Sequence, residues 1–410
     1  IEGSLGVAKA VALCRPGVVC AYPISPQTHI VENVGKFVKN GTLKDCDFLN
    51  VESEFSAISV AIGSEVGGAR TYTATASQGL LYMTEGVYSA SGLGLPIVMT
   101  VASRAIGGPI NIWNDHSDSL SQRDSGWLQL FCESNQDAVD THIMAFKIAE
   151  EVGLPVMVCM DGFVLTHAFE RLDIPSQETV DKFLPEYQPR EYLTPKEPVS
   201  IGAMVGPEAF TEVRFLQQRK MAKALKVIEK VTKEYRDLTG SKSGGLLDCY
   251  NCENADLKLV IMGSTVGTAK DEIDRLKAEG VNVGIISLKS FRPFPYEAMA
   301  KAIGDTKKVI CLERAFSFGA RGIVCPEVKR AMEGKNCDVK TVVAGLGGRP
   351  IFGTTIRGIV KDALADKFTE EFTWFDVNAD VLNSYTDKTE GVTFKNGPIA
   401  QSVLENSVKD

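Results

Sequence analysis

Short apolar runs without polar alternation recur along this chain, and they most constrain what it can fold into. Residues 96–101 (Pro-Ile-Val-Met-Thr-Val) and 155–159 (Pro-Val-Met-Val-Cys) are continuous and of strand length. A strand with one wet face alternates apolar and polar residues. A run without alternation suits a parallel sheet covered by helices on both faces. Helical stretches separate the runs. Residues 5–13 read as helix, 17–21 as strand, 28–39 as a helix with Ile30, Val31, Val34 and Phe37 on one face, 47–51 as strand, 54–67 as helix, 71–74 as strand and 80–91 as helix. The first part of the chain is therefore expected to be α/β, with a doubly wound parallel sheet.

The chain's 410 residues exceed one ordinary core, so two domains with extensions are expected. Six of the 17 prolines lie between Pro175 and Pro207, which argues for an extended arm without long helices. A charged helix follows, with Met221, Leu225, Ile228, Thr232 and Tyr235 at helical spacing and Gly240 as its C-terminal cap. Residues 244–254 read as a loop. A second α/β unit starts at Leu257, where residues 258–264 read as a strand turning into a helix that runs to about 279; further strands are expected at 281–287, 308–313 and 341–344 and a helix at 296–303. The tail is first aromatic and acidic (Phe368, Phe372, Trp374, Phe375), which suggests packing on another subunit. The expected organisation is a domain over 1–180, a linker arm and helix over 181–255, a second doubly wound domain over 256–365, and an extension over 366–410.

A net charge of −8 argues against nucleic acid as the main partner, because neutralising phosphates needs a basic stripe. No stretch approaches the roughly 18 apolar residues of a membrane span, and no secretory signal is visible. The ten cysteines are scattered, with Cys20, Cys159 and Cys311 in apolar contexts. They read as reduced core thiols of a cytoplasmic protein. Cys249 and Cys252 form a CxxC that has no second half to complete a zinc site.

Four loops carry chemistry-bearing residues. Tyr22-Pro-Ile-Ser-Pro26 presents Ser25 between two ring-stiffened positions at the end of a strand. Val51-Glu-Ser-Glu54 places two carboxylates at a helix start, where capping alone accounts for one. Thr73-Ala-Thr75-Ala-Ser77-Gln78-Gly79 is a hydroxyl-rich turn from strand to helix. Ser103-Arg104 ends a buried strand and leads to Gly107-Gly108, then to Trp113-Asn-Asp-His-Ser-Asp118. In a doubly wound sheet such loops gather along one edge.

Taken in order, these motifs resemble those of the α subunit of the 2-oxoacid:ferredoxin oxidoreductase family, of the pyruvate:ferredoxin oxidoreductase type. The second unit, with Gly263-Ser264 and Leu288-Lys-Ser-Phe-Arg-Pro293, is similar to the C-terminal domain of transketolases. The resemblance implies that the first domain is the pyrimidine-binding half of a thiamine diphosphate site. A separate β subunit would supply the diphosphate and magnesium half, as suits a chain without a Gly-rich phosphate loop ending in Lys-Ser/Thr. The four-iron–four-sulfur clusters would lie in partner subunits only, since the cysteines here do not cluster. Further partners implied are γ and δ subunits, coenzyme A, a 2-oxoacid and ferredoxin.

The resemblance implies roles for single residues. Glu54 would hydrogen-bond a ring nitrogen of the aminopyrimidine and favour its imino tautomer, leaving Glu52 to cap the helix. Pro26, Thr75, Ser77, Gln78 and Gly79 would line the cofactor. Arg104 would orient the substrate carboxylate, the rival reading being a salt bridge to Asp115 or Asp118. Ser25 would donate to a substrate oxygen. His116 reads as a structural member of its loop rather than a proton carrier, and His142 and His167 are expected on helix or loop surfaces.

The expected activity is coenzyme A-dependent oxidative decarboxylation of a 2-oxoacid, with pyruvate favoured and electrons passed to ferredoxin. Three alternatives stand: the same chemistry on an aromatic or branched 2-oxoacid such as phenylglyoxylate, for which Ser25 and Gly107-Gly108 would leave room; a non-oxidative thiamine enzyme of transketolase or decarboxylase type; and a non-catalytic assembly subunit.

Overall fold

The computed structural model describes residues 1–383, so most of the expected extension lies outside the described residues. Among them are thirteen strands: β1 (Val18–Ala21), β2 (Asp47–Asn50), β3 (Thr71–Thr75), β4 (Val98–Ser103), β5 (Leu128–Phe131), β6 (Val156–Asp161), β7 (Leu247–Tyr250), β8 (Leu257–Ile261), β9 (Val283–Leu288), β10 (Ser290–Arg292), β11 (Lys308–Glu313), β12 (Asp338–Val343) and β13 (Phe372–Trp374). They form two sheets, ordered β10-β5-β6-β4-β3-β1-β2 and β13-β12-β11-β8-β9-β7. Each is parallel except for one antiparallel edge strand, β10 on β5 and β7 on β9. Every residue of β3, β4 and β6 is buried, as the absence of alternation implied.

Both sheets are doubly wound. In the first, the chain moves from β1 outward to β2, then back across to β3, so the strand order reverses between β1 and β3. That reversal leaves a crevice beyond the carboxyl ends of the two strands. The loops after β1, β2, β3, β4 and β6 all emerge on this edge.

The two units are not independent bodies. β10 comes from the second unit, yet it completes the first sheet, with Ser290 opposite Leu130. One apolar cluster runs through both, joining Ile58, Leu80 and Val101 to Phe291, Met299 and Val309. Beside it, the buried Lys289 ammonium lies 2.7 Å from Asp137 of the first unit. Burial disfavours that charge, but Asp137 and Glu133 together hold the lysine pKa above its usual value.

The structure departs from the sequence reading in several places. Residues 244–254 are not all loop, because β7 pairs there along β9. The helix expected over 80–91 is two helices, Ser77–Tyr82 and Thr84–Leu93. The 18-residue helix Asn135–Val152 carries no clean apolar stripe, because Asp137, Asp140, Thr141 and His142 are buried on it. Asp140 accepts there from Tyr235, Ser241 and Ser243. His142 is therefore not on a surface. It is fully buried, its ring nitrogens 2.6 Å from Ala138 O and 2.5 Å from Thr100 Oγ1, and burial pushes its pKa down to about 4.

The aromatic tail finds its partners within this chain. β13 pairs with β12, Trp374 packs edge-on against Phe316, and Phe375 against Phe368. The arm over 184–209 has no helix, and the helix Phe210–Thr239 ends at Gly240 with φ of 73°, where only glycine avoids a steric cost.

The crossing strand β10 carries Phe291, which is fully buried and meets Phe131 and Phe294 edge-on at 6.5 and 6.2 Å. Phe291→Ala is expected to cost about 3–5 kcal/mol and to lower the thermal midpoint in a melting experiment. An unchanged midpoint would deny β10 its role in joining the sheets.

Candidate active site

The helix Glu54–Val66 starts directly after β2. Ser53 caps it, its Oγ accepting from the N–H of Ser56 at 3.2 Å. Glu52 accepts from the Ser56 hydroxyl and stays in solvent, so it belongs to the cap. Glu54 points the other way and is 9% exposed.

Its neighbour is the turn after β3. A Cβ on Gly79 would lie 2.8 Å from Glu54 Oε1 and 2.6 Å from Thr75 Oγ1, closer than real contacts allow. Glycine is what leaves the two oxygens side by side. Thr75 Oγ1 is buried and has no hydrogen-bond partner. An orphaned buried hydroxyl beside a carboxylate costs free energy unless something polar occupies the space in front of it. A carboxylate beside an unpaired hydroxyl is the donor set that the ring nitrogens and amino group of a pyrimidine would meet, so the residues present suit the pyrimidine of thiamine diphosphate.

Ser77 opens the next helix with a positive φ of 50°, held there from both sides. Its N–H donates to Asp118 Oδ2 at 2.8 Å and its hydroxyl donates to Ala105 O. The same Asp118 Oδ2 accepts from the Arg104 N–H at 2.9 Å. One carboxylate thus ties the turn after β3 to the loop after β4. Gln78 fills the space before Gly107, where a Cβ would sit 1.9 Å from its Nε2. Of the room read from the Gly107-Gly108 pair in the sequence, the part before Gly107 is taken by an amide, while nothing lies within 4 Å of a Cβ at Gly108.

Arg104 is 6% exposed. Its Nη1 donates to Ser25 O at 2.9 Å and its Nε to Asn111 O at 3.3 Å. No carboxylate among the described residues forms a salt bridge with the guanidinium, so the rival salt bridges to Asp115 and Asp118 are absent. Burial pushes the guanidinium pKa down, with Asp118 opposing. Ser25 itself is exposed, and Pro26 is buried against Gly162, whose Cβ would lie 2.6 Å from the proline ring. Gln27, which the sequence reading passed over, anchors the loop by donating to Tyr22 O and Ala74 O at 3.0 and 2.8 Å.

The loop over 104–118 is pinned to the second unit. Asn111 Nδ2 donates to Gly347 O, and the Gly347 N–H donates to Asp115 Oδ2, both at 3.1 Å. His116 Nε2 lies 2.8 Å from Asp161 Oδ1, and Arg314 Nη1 donates to Asp161 Oδ2 at 2.9 Å. Ser264 adds its N–H at 3.0 Å. Burial works against the Asp161 charge, but His116 and Arg314 hold its carboxyl well below the usual range. His116 is 2% exposed and edge-on to Phe131, which fits a structural place in its loop. Asp161 and Arg314 were missed because each reads as an ordinary strand-end residue; only the three-dimensional meeting of two sheets reveals them.

Burial pushes Asp118 up to about 7, with the N–H groups of Ser77 and Arg104 pulling the other way. A carboxyl raised in the folded state adds stability that is complete below its ordinary pKa and is lost as pH rises through the folded value. Stability should thus fall between about pH 4 and pH 7 on account of this group. Asp118→Asn is expected to flatten that segment of the melting-temperature profile, and an unaltered slope would contradict the assignment.

Comparison with known proteins bears on the family of the chain. Residues 9–233 match the family model "Pyruvate flavodoxin/ferredoxin oxidoreductase, thiamine diP-bdg", and residues 255–356 match "Pyruvate:ferredoxin oxidoreductase core domain II". The chain is 44% identical over 367 residues to the pyruvate synthase subunit PorA of Methanosarcina barkeri, covering 88% of this chain and 91% of the relative. It is 38% identical over 382 residues to the ketoisovalerate oxidoreductase subunit VorA of Pyrococcus horikoshii, covering 92% and 97%. A solved 2-oxoglutarate:ferredoxin oxidoreductase from Magnetococcus marinus shares the fold, with a TM-score of 0.65 at 21% identity. That match covers 89% of this chain and 65% of the solved one. From the matched segments and the extent of identity, the chain belongs to the pyruvate flavodoxin/ferredoxin oxidoreductase family.

Proposed function

We propose that this chain is the α-type subunit of a complex that oxidatively decarboxylates a 2-oxoacid, pyruvate before others, to its acyl-coenzyme A. Electrons pass to ferredoxin through iron–sulfur clusters held by partner subunits. The observation that carries the proposal is Arg104. A buried guanidinium with two donors spent on carbonyl oxygens and no carboxylate in salt-bridge contact among the described residues is a site suited to an anion. It stands next to the Ser25 loop and is tied through Asp118 to the turn that flanks Glu54.

Thiamine diphosphate, when bound, supplies the carbon nucleophile and the electron sink that decarboxylation of a 2-oxoacid requires. What this chain does can be stated residue by residue. Glu54 would hydrogen-bond a ring nitrogen of the pyrimidine, with Gly79 and the Thr75 hydroxyl beside it. Ser77 and Gln78 shape the turn that carries that cradle, and Pro26, lodged against Gly162, sets the opposite wall. Arg104 orients the substrate carboxylate and lets it depart as carbon dioxide, because an orienting contact need not strengthen as the bond breaks. Ser25 offers its exposed hydroxyl to a substrate oxygen. The diphosphate and magnesium belong to a β subunit, and γ and δ subunits complete the coenzyme A and electron-transfer functions.

Pyruvate is favoured because PorA relatives match at 40–46% identity, against 38% for VorA relatives.

The test is viologen reduction by the assembled complex with coenzyme A, on pyruvate, 2-oxoisovalerate, 2-oxoglutarate and phenylglyoxylate, for the wild type, Arg104→Lys and Arg104→Ala. Pyruvate should give the highest kcat/KM. Arg104→Ala should lower it by about 10- to 150-fold, the kinetic equivalent of the roughly 1.5–3 kcal/mol of a hydrogen bond to a charged group, with Arg104→Lys between. An unchanged kcat/KM in both variants would remove Arg104 from the site, and preference for another acid would overturn the substrate assignment.

A further inference from the structure

Glu2, His29 and His167 come from three separate segments: the start of the chain, the first turn of the helix Thr28–Lys39, and the loop after β6. One ligand-capable atom of each lies within 4.8 Å of the others, the one such group of three among the described residues. His29 Nδ1 is 2.7 Å from Glu2 Oε1, and the rings of His29 and His167 stand 4.8 Å apart. Neither histidine takes part in the site described above.

The surroundings prepare His167 as a ligand. Its Nδ1 is 2.7 Å from Thr166 Oγ1, which accepts from the Phe163 N–H at 2.8 Å. In the tautomer whose Nδ1–H donates to this hydroxyl, Nε2 carries the free lone pair, the arrangement that outer partners of metal-binding histidines enforce. Phe163 also packs on the His167 ring, with centroids 4.8 Å apart.

We propose that Glu2, His29 and His167 bind one divalent transition-metal ion of the zinc class, with a fourth position open to water. Two imidazole nitrogens and one carboxylate suit zinc, cobalt or nickel; magnesium and calcium require oxygen ligands. Ligands in tetrahedral zinc sites lie about 2.0–2.2 Å from the ion, so the three side chains close in slightly on binding. The ion then joins three segments that are distant in sequence. The helix carrying His29 begins three residues after Ser25, and the loop carrying His167 contains Gly162, against which Pro26 packs. The site is therefore a clamp at the base of the Ser25 loop, outside the cofactor cradle.

The test uses the full chain, stripped with a chelator and titrated at neutral pH with zinc alone, then with cobalt alone. One equivalent should bind, and the cobalt form should show visible d–d bands without a sulfur charge-transfer band. His29→Gln and His167→Gln should each weaken binding at least about tenfold. Both side chains reach the surface, so these variants should retain their circular dichroism. A Cys249→Ser/Cys252→Ser variant should bind as the wild type does. Undiminished binding in the histidine variants, loss of binding in the cysteine variant, a thiolate band with cobalt, or the absence of any stoichiometric binding would each overturn the proposal.

Discussion

Asp118 is fully buried, and its Oδ2 accepts from the N–H of Ser77 and from the N–H of Arg104, which sit on loops after different strands. A carboxylate taken out of water is costly unless such donors surround it. The two backbone groups meet that need and are in turn held in one geometry. Ser77 keeps a backbone conformation that a serine seldom adopts, and Arg104 starts its loop at the point where its side chain can reach Ser25. The order of the crevice between the β3 turn and the β4 loop depends on this one side chain.

A second buried carboxylate extends that order across the molecule. Asp161 gathers His116, Ser264 and Arg314, so the loop carrying Asp118 is fastened to the second unit. Arg314 also donates to Asn114 O, and its own carbonyl accepts from the His116 N–H. Together with β10 in the first sheet and the apolar cluster shared by both units, these bonds explain how the second unit takes part in the site without lending it a residue of the cradle. It sets the position of the loop over 104–118, and through Arg104 the position of Ser25. Burial opposes the charge on both carboxylates. They end on opposite sides of the usual range because His116 and Arg314 both lower Asp161, whereas the backbone N–H groups around Asp118 do not offset its burial and Asp115 pushes it further up.

Much of this was legible in the sequence. Helices at 28–39 and 296–303 and the strand at 308–313 match the structure residue for residue, since their apolar spacing and end signals agree. Ser25, Glu54, Thr75 to Gly79 and Arg104 do meet on one sheet edge, because a doubly wound topology leaves them nowhere else to go. The helix Asn135–Val152 and the edge strand β7 were not legible, for two different reasons. The helix buries polar residues whose partners lie about a hundred positions away, so no local period marks it. The strand owes its pairing to β9, more than thirty residues later. The tail's aromatics could be seen to need a partner, but not that the partner was β12 and Phe316 of the same chain. Gly107 looked like space, and only the fold puts Gln78 there.

In the proposed function the crevice is one half of a cofactor site: a cradle for a pyrimidine and an anchor for a carboxylate, with the phosphates held elsewhere. The most direct measurement is a calorimetric titration of thiamine diphosphate with magnesium into this chain alone, into a diphosphate-binding partner subunit alone, and into the assembled pair. Tight binding of one equivalent per pair is expected only after assembly, and it should be lost when the assembled pair carries Glu54→Gln. Full-affinity binding to this chain alone, or binding to the pair that ignores Glu54, would contradict that reading.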